Sequence, residues 1–199
     1  MALRTFVKVS GINNLSDARY CAGMEVNQLG FEIEEGATNY TDIQKFKEIS
    51  EWLSGVEYVG EITSKNKAIK DLIEGYQLDA IQIENIDQIE EALNTGLAVS
   101  FLAHSIESTQ KAWEASGQKL AYVLFDSSEV NDHALQALAN EIPVVLAAGF
   151  DAETVTELVK SKLKGIAIQG GNEIRPGYKD FDEMADILEA LEIDDLTDE

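Results

Sequence analysis

The chain has 199 residues, 45% of them apolar, which is enough for one domain, or at most two small ones, with a buried core. Its 37 acidic residues against 15 Lys and Arg give a net charge of −22, so nucleic acid and anionic membranes are disfavoured as partners. No apolar run approaches the roughly 20 residues that a membrane-spanning helix needs, and the first residues lack the apolar segment of a signal peptide, so we expect a cytoplasmic protein.

Eight strand-like apolar runs follow one another along the chain. They are Phe6 to Ser10, Val26 to Ile33, Val56 to Ile62, Asp79 to Ile83, Leu97 to Ala103, Leu120 to Phe125, Ile142 to Ala147 and Gly165 to Gln169. The first run breaks at Gly11 into a helix that Asn14 or Ser16 can cap. This helix carries the single cysteine, Cys21, for which we predict a small buried role.

Helical patterns separate these runs. The clearest are Thr41 to Leu53, Lys65 to Tyr76, Ile86 to Thr95, Ile106 to Ser116 and Ala152 to Lys162, with further cap candidates at Thr41, Ser64, Asn85, Ser105, Asn131 and Asp151. Trp52 and Trp113 fall on these patterns and are predicted to pack.

Eight strand–helix units in so short a chain indicate a parallel sheet closed into a single-domain (βα)8 barrel. A doubly wound open sheet could hold the same alternation but rarely uses eight strands at this length. We place the barrel at residues 1–191 and an acidic, solvated tail, EIDDLTDE, at 192–199.

In such a barrel, functional side chains collect at the carboxyl ends of the strands. The residues at those positions are Ser10, Glu32 or Glu34, Glu61, Glu84, His104 and Asp126. The turns after the last two strands contain Gly149 and the pair Gly170-Gly171, and such glycines let backbone N–H groups close on a phosphate. The sequence therefore predicts a phosphate site formed by Gly149, Phe150, Gly170 and Gly171.

Several stretches resemble one known family in order and spacing. They are VKVSGINNLSDA, NQLGFEI, AYVLFDSS, VVLAAGFDAETV and GIAIQGGNEIRPGYKD, and they are similar to phosphoribosylanthranilate isomerase of tryptophan biosynthesis, a small (βα)8 barrel. The likeness is strongest at the first strand and the last three units, and the middle of the chain matches only in its alternation of strands and helices.

The resemblance implies an Amadori rearrangement of an aminoaldose phosphate to an aminoketose phosphate. An acid protonates the ribose ring oxygen, the ring opens to an iminium, and a base removes the C2 proton. The family's acid falls on Asp126, which needs a pKa above its reference value of about 3.9, and burial beside Glu84 could raise it. The family's base is a cysteine, which is Ser10 here, and a serine without a partner is a poor proton acceptor.

Four more positions depart from the family pattern. The loop after strand two lacks the family's arginine, Glu84-Asn85 replaces His-Gly, Ala148-Gly149 replaces a glycine pair, and Gln169-Gly170 replaces a serine pair. Each change removes a donor, a cation or backbone freedom where the substrate's anionic ends must lie. The scaffold is retained and the site is altered.

Three interpretations therefore stay open. The chain is an active isomerase with a substituted base, a lapsed member acting as a binding or regulatory protein, or a catalyst of a different reaction on a related phosphosugar or a cation-bearing substrate. The last would use Glu61, Glu84, Asp126 and His104, which could also ligate Mg²⁺. We predict catalytic roles for Asp126 and Ser10, substrate contacts from Lys8, Glu84 and Arg175, no metal or cofactor, a small phosphosugar as partner, and a monomer or homodimer.

Overall fold

Eight parallel strands close into one barrel, in the order in which they occur along the chain. They are β1 (Phe6–Ser10), β2 (Gln28–Glu32), β3 (Glu57–Ile62), β4 (Ala80–Ile83), β5 (Ala98–Ala103), β6 (Tyr122–Phe125), β7 (Val144–Leu146) and β8 (Gly165–Gln169). The computed structural model describes residues 2–127, 132–170, 173–175, 178–179 and 182–193. The strand β1 pairs with both β2 and β8, which closes the cylinder and confirms the predicted (βα)8 barrel.

Helices follow the strands around the outside. They are α1 (Leu15–Gly23), α2 (Ile43–Ser50), α3 (Ile69–Ile73), α4 (Ile89–Leu93, after a 3-10 turn at Ile86–Gln88), α5 (Ile106–Ala115), α6 (Asp132–Ala139), α7 (Val155–Leu158) and α8 (Asp182–Ala190). A two-stranded antiparallel hairpin, β9 (Glu173–Arg175) with β10 (Tyr178–Lys179), precedes α8. Among the described residues, no helix has the length and apolar character that crossing a bilayer requires.

The apolar core has two parts because successive strand residues face opposite sides of the sheet. One part fills the layer between strands and helices, where Val9, Phe31 and Phe125 are fully buried. The other lies inside the barrel around Tyr122 and Leu124. The remaining inward positions carry buried polar side chains: Lys8, Gln28, Glu61, Gln82 and Ser100. The barrel interior is therefore mixed, with a charged group in its middle.

Several helices are shorter than their sequence patterns predict. The segment Lys65 to Tyr76 gives a helix only at Ile69–Ile73, and Ala152 to Lys162 only at Val155–Leu158. Ser64 does not cap α3, because the N-cap position is Ala68, where no side chain caps the helix; the Ser64 backbone N–H donates to the Glu34 carboxylate instead. The helix begins instead at Ile69, whose N–H donates to Glu91 Oε1 at 2.7 Å. A tertiary contact has overridden the local cap.

Some of the other local predictions are confirmed and some are wrong. Asn14 caps α1 and Ser105 caps α5, as predicted, whereas Asp42 rather than Thr41 caps α2. Cys21 is fully buried, and burial raises the pKa of its thiol to about 12, in keeping with a packing role. Trp52 is 71% exposed, so the prediction that it packs is wrong.

The first and last described segments of the chain pair with each other. Glu192 forms an antiparallel bridge with Leu3, and the N–H of Ile193 donates to the carbonyl of Ala2 at 3.0 Å. The first two residues of the predicted acidic tail are therefore paired with the N-terminal segment, and 194–199 lie outside the described residues. Asn131, proposed as a cap, also lies outside them.

Candidate active site

A cavity of about 380 Å³ opens at the carboxyl ends of the strands. Every strand contributes to it, either directly or through a residue just after its end. The lining includes Ser10, Glu32, Glu61, Gln82 and Asp126, with an apolar wall formed by Leu102, Leu124, Ala147, Ala167 and Ile168. The structure thus brings the two predicted catalytic residues, Ser10 and Asp126, to one cavity.

Lys8 lies buried among the side chains at the base of this cavity. Its Nζ donates to Ser10 Oγ at 3.0 Å, to Glu61 Oε1 at 2.5 Å and to Gln82 Oε1 at 2.5 Å. An ammonium has three protons, so these acceptors use all of them. Burying a charge is tolerated when it is paired and hydrogen-bonded in this way. Lys8 was predicted to contact substrate, but it does not line the cavity and instead organises three residues that do.

Ser10 keeps only 9% of its surface exposed, and its oxygen accepts the Lys8 proton. A hydroxyl in this position can donate its own proton into the cavity. It cannot become a base unless it loses that proton, and activating a serine takes an adjacent general base. An ammonium is not one. Ser10 is therefore placed as a hydrogen-bond donor to whatever occupies the cavity.

Glu61 is the second carboxylate at the cavity floor, with 7% of its surface exposed. Its Oε1 accepts from Lys8, and its Oε2 accepts from the N–H of Gly11 at 3.2 Å. The neighbouring strand makes room for it at Gly30, where a Cβ would collide with Oε1. The sequence marked Glu61 as a strand-end acid but gave no sign of its pairing with Lys8.

Asp126 lies at the rim and is 46% exposed, so the burial expected for it is not found. Its Oδ2 is 3.6 Å from His104 Nδ1, which is also 3.2 Å from the Asp126 carbonyl oxygen. On the other side of the imidazole, His104 Nε2 is 3.4 Å from Glu84 Oε1. Glu84 does not line the cavity. Its contact is with His104, and the histidine separates it from Asp126.

The end of β2 and the loop that follows it carry two hydrogen-bonded acids, Glu32 and Glu34. Glu32 lines the cavity and accepts from the backbone and side-chain N–H groups of Asn39, at 2.9 and 3.1 Å. Two residues later, Glu34 Oε2 accepts from the N–H groups of Thr63 and Ser64 at 2.6 and 2.8 Å. Burial works against the Glu34 charge, but hydrogen bonds from Ser64 and Thr63 outweigh it and hold the pKa of this carboxyl below its usual value.

The predicted phosphate site is only partly described. Gly149 has φ +83°, in the left-handed region that favours glycine, and Phe150 follows it. The N–H of Gly170 donates to the Ser10 carbonyl at 2.8 Å, so that amide is already used. A smaller cavity of about 290 Å³ beside these loops is lined by Ala148, Phe150 and Gln169, and by Glu183 in the first turn of α8. Gly171 and the Arg175 side chain lie outside the described residues.

The charge balance of the main cavity follows from these placements. It is lined by three carboxylates, those of Glu32, Glu61 and Asp126, and by no Lys, Arg or His among the residues that the structure describes. Within the same part of the chain, no group of three or more His, Cys, Asp or Glu is arranged to hold a metal ion. The Mg²⁺ arrangement considered from the sequence is therefore not formed by the described residues.

Comparison with known proteins agrees with this architecture. Residues 7–190 match the family model described as N-(5'-phosphoribosyl)anthranilate (PRA) isomerase. The chain is 28% identical over 199 residues to the N-(5'-phosphoribosyl)anthranilate isomerase of Aquifex aeolicus, covering 92% of this chain and 96% of the relative.

Two solved structures have a similar fold. One is the monomeric form generated from the dimeric phosphoribosylanthranilate isomerase of Thermotoga maritima, with a TM-score of 0.75 and 22% identity. The other is a phosphoribosylanthranilate isomerase in complex with reduced 1-(o-carboxyphenylamino)-1-deoxyribulose 5-phosphate, also at 0.75 and 22%. Each comparison covers 94% of this chain and 98% of the other.

Proposed function

The chain belongs to the N-(5'-phosphoribosyl)anthranilate isomerase family, and we propose that it catalyses that family's conversion of an aminoaldose phosphate to an aminoketose phosphate, with Asp126 as the proton donor. The small-molecule partner is a phosphosugar. We place the reaction in the cytoplasm, because biosynthetic phosphosugars are made and consumed there.

The position of Asp126 carries this proposal. The reaction begins when a proton reaches the ribose ring oxygen, which breaks the bond from C1 to that oxygen and leaves an iminium. Asp126 lies at the rim of a cavity about 380 Å³ in volume, large enough for the ribose, whose lining also includes Leu102 and Leu124. His104 lies beside this carboxylate, with its Nδ1 3.6 Å from Oδ2.

The phosphate end is assigned to the loops after β7 and β8. The left-handed turn at Gly149 and the amide of Phe150 support an anion there. Gly170 shapes the loop rather than donating its amide, which binds the Ser10 carbonyl. Gly171 and Arg175 complete the proposed set.

The test is turnover of phosphoribosylanthranilate, measured by separating the aldose and ketose phosphates by chromatography. Asp126→Asn should lower kcat by about 10² to 10⁴-fold, because an amide cannot protonate the ring oxygen. Asp87→Asn is the matched control, since Asp87 is also an acid beyond a strand end but does not line the cavity. If Asp126→Asn retained the wild-type kcat, Asp126 would not be the donor.

A further inference from the structure

The C2 proton needs an acceptor, and Ser10 is not suited to be one. Its oxygen already accepts from the Lys8 ammonium, and no base is hydrogen-bonded to it among the residues that the structure describes. The Lys8 ammonium donates one hydrogen bond to each of three acceptors, so its nitrogen has no lone pair to accept a proton. The acceptor must therefore be another group at the cavity floor.

The position of the acid limits where that group can be. The positions that the resemblance assigns to acid and base are Asp126, just after β6, and Ser10, at the end of β1, and these strands are three apart around the barrel through β8 and β7. The strand β3 is also three strands from β6, in the other direction through β4 and β5. A base on β3 thus faces Asp126 across the cavity much as one on β1 would.

Glu61 occupies that place on β3. Its register partners are Glu32 on β2 and Gln82 on β4, both of which line the cavity, so it lies at the level of the floor. Each carboxylate oxygen has two lone pairs, and only one on each is used, by Lys8 and by Gly11. A lone pair on each oxygen remains for a substrate proton.

Two glycines help to place the Glu61 carboxylate. The N–H of Gly11 holds Oε2, and the missing side chain of Gly30 leaves the volume that Oε1 occupies. The carboxylate is therefore fixed by a cation, an amide and a strand surface shaped to admit it. Such fixed placement is what a proton acceptor needs.

The other acids of the mouth are less suited. Glu32 lies on β2, which is four strands from β6 in either direction and not three, and Asn39 in the following loop donates to both of its oxygens. Glu84 does not line the cavity and contacts His104. Asp126 is the donor of the first step.

We propose that Glu61 is the general base of the isomerisation, replacing the family's cysteine from a neighbouring side of the barrel; this rests on the proposed function. In its step the C2–H bond breaks and the proton goes to Glu61. The bonding pair forms C1=C2, and the π pair of the iminium moves to nitrogen. The proton on Glu61 then passes to C1 while O2 returns one to Asp126, which leaves the ketose, a carboxylate at Glu61 and a carboxylic acid at Asp126.

The first experiment compares Glu61→Gln with Glu57→Gln in phosphoribosylanthranilate turnover. Glu57 is an acid on the same strand and face, four residues earlier at the opposite end of the barrel, where it accepts from Gln28. We expect Glu61→Gln to lower kcat by about 10² to 10⁴-fold and Glu57→Gln to change it by less than about threefold. Retention of kcat within about threefold in Glu61→Gln would overturn the proposal.

Glu61→Gln also leaves Lys8 without its buried counter-charge, so a second variant restores both a base and a negative charge at position 10. Adding Ser10→Cys places a sulfur where Ser10 Oγ now lies, 3.0 Å from Lys8 Nζ. As a thiolate, this sulfur is both a proton acceptor and a negative partner for the ammonium. The double variant should turn over at least about tenfold faster than Glu61→Gln alone.

The outcomes are distinct. Failure of the thiolate to raise the rate, with cooperative thermal unfolding in both variants, would overturn Glu61 as the base. Turnover by the wild-type protein with no effect of Glu61→Gln would overturn the base and leave the proposed function intact. Absence of turnover in the wild-type protein and in every variant would refute the proposed function and the base together.

Discussion

At the scale of single residues, Lys8 decides what the cavity floor can do. One fully buried ammonium fixes the orientation of Ser10, Glu61 and Gln82, which come from three different strands. The sequence shows Lys8 and Ser10 as neighbours on one strand face, but it does not show Glu61 joining them from 53 positions away. Long-range pairing of this kind depends on barrel register, which no local pattern contains.

Ser10→Ala tests the role of the hydroxyl. The change removes one of three acceptors of Lys8 and one donor to the cavity, while Glu61 still balances the charge. We expect kcat/KM for phosphoribosylanthranilate to fall by less than about tenfold, mostly through KM. Ser10→Thr, which keeps a hydroxyl, is the control. A loss as large as that of Glu61→Gln would make Ser10 the essential group.

At the scale of elements, the strands follow the sequence more closely than the helices do. All eight strands lie within their predicted runs, because each strand places apolar residues in the layer between strands and helices and these residues mark it in the sequence. Helices depend on caps and on packing, and α3 begins late because Glu34 and Glu91 take up the backbone donors near its start. Such contacts cannot be derived from the spacing of apolar residues.

Glu34 links the loops after β2 and β3, and its ionisation should make the free energy of unfolding depend on pH. Its folded pKa lies below the value of about 4.3 expected when unfolded, so its stabilising effect is complete above that value and is lost as pH falls through the folded pKa. Glu34→Gln should cost about 1.5–3 kcal/mol of unfolding free energy at pH 7 and progressively less toward pH 3. Urea unfolding at several pH values measures this.

The exposed neighbour Glu35 supplies the control for that series. Glu35→Gln removes the same charge one residue away without breaking the contacts to Thr63 and Ser64. If both variants lost equal stability with the same pH dependence, the effect would be one of overall charge and not of the Glu34 hydrogen bonds.

The first turn of α8 works against the proposed phosphate site. Glu183 is exposed and lines the smaller cavity with Phe150 and Gln169, where a bound dianion would meet its charge. Glu183→Gln should therefore tighten binding of inorganic phosphate by about two- to fivefold at low ionic strength, and less at high salt. Isothermal titration measures this.

Glu189→Gln is the matched control for the phosphate titration, because it removes an exposed acid from the last turn of the same helix. An equal gain in both variants would reflect the net charge of −22 and not a local site. An unchanged affinity in Glu183→Gln would place the phosphate away from the smaller cavity.

At the scale of the whole molecule, fold and site differ in how far the sequence predicts them. The barrel follows from eight repeated units, and the carboxyl-end rule brings Ser10 and Asp126 to one cavity. The same rule places Glu84 and His104 at the mouth but does not show that the histidine lies between two acids. The half-exposed state of Asp126 also depends on loop packing and could not be derived from its position in sequence.

The decisive measurement is turnover of phosphoribosylanthranilate by the wild-type protein. If Glu61 accepts the C2 proton and Asp126 supplies the first one, we expect conversion to the ketose phosphate at a rate proportional to protein concentration, even though serine stands in place of the family's cysteine. Conversion no faster than in buffer, by a folded protein that still binds the phosphosugar in titration, would contradict it and favour a lapsed, ligand-binding member of the family.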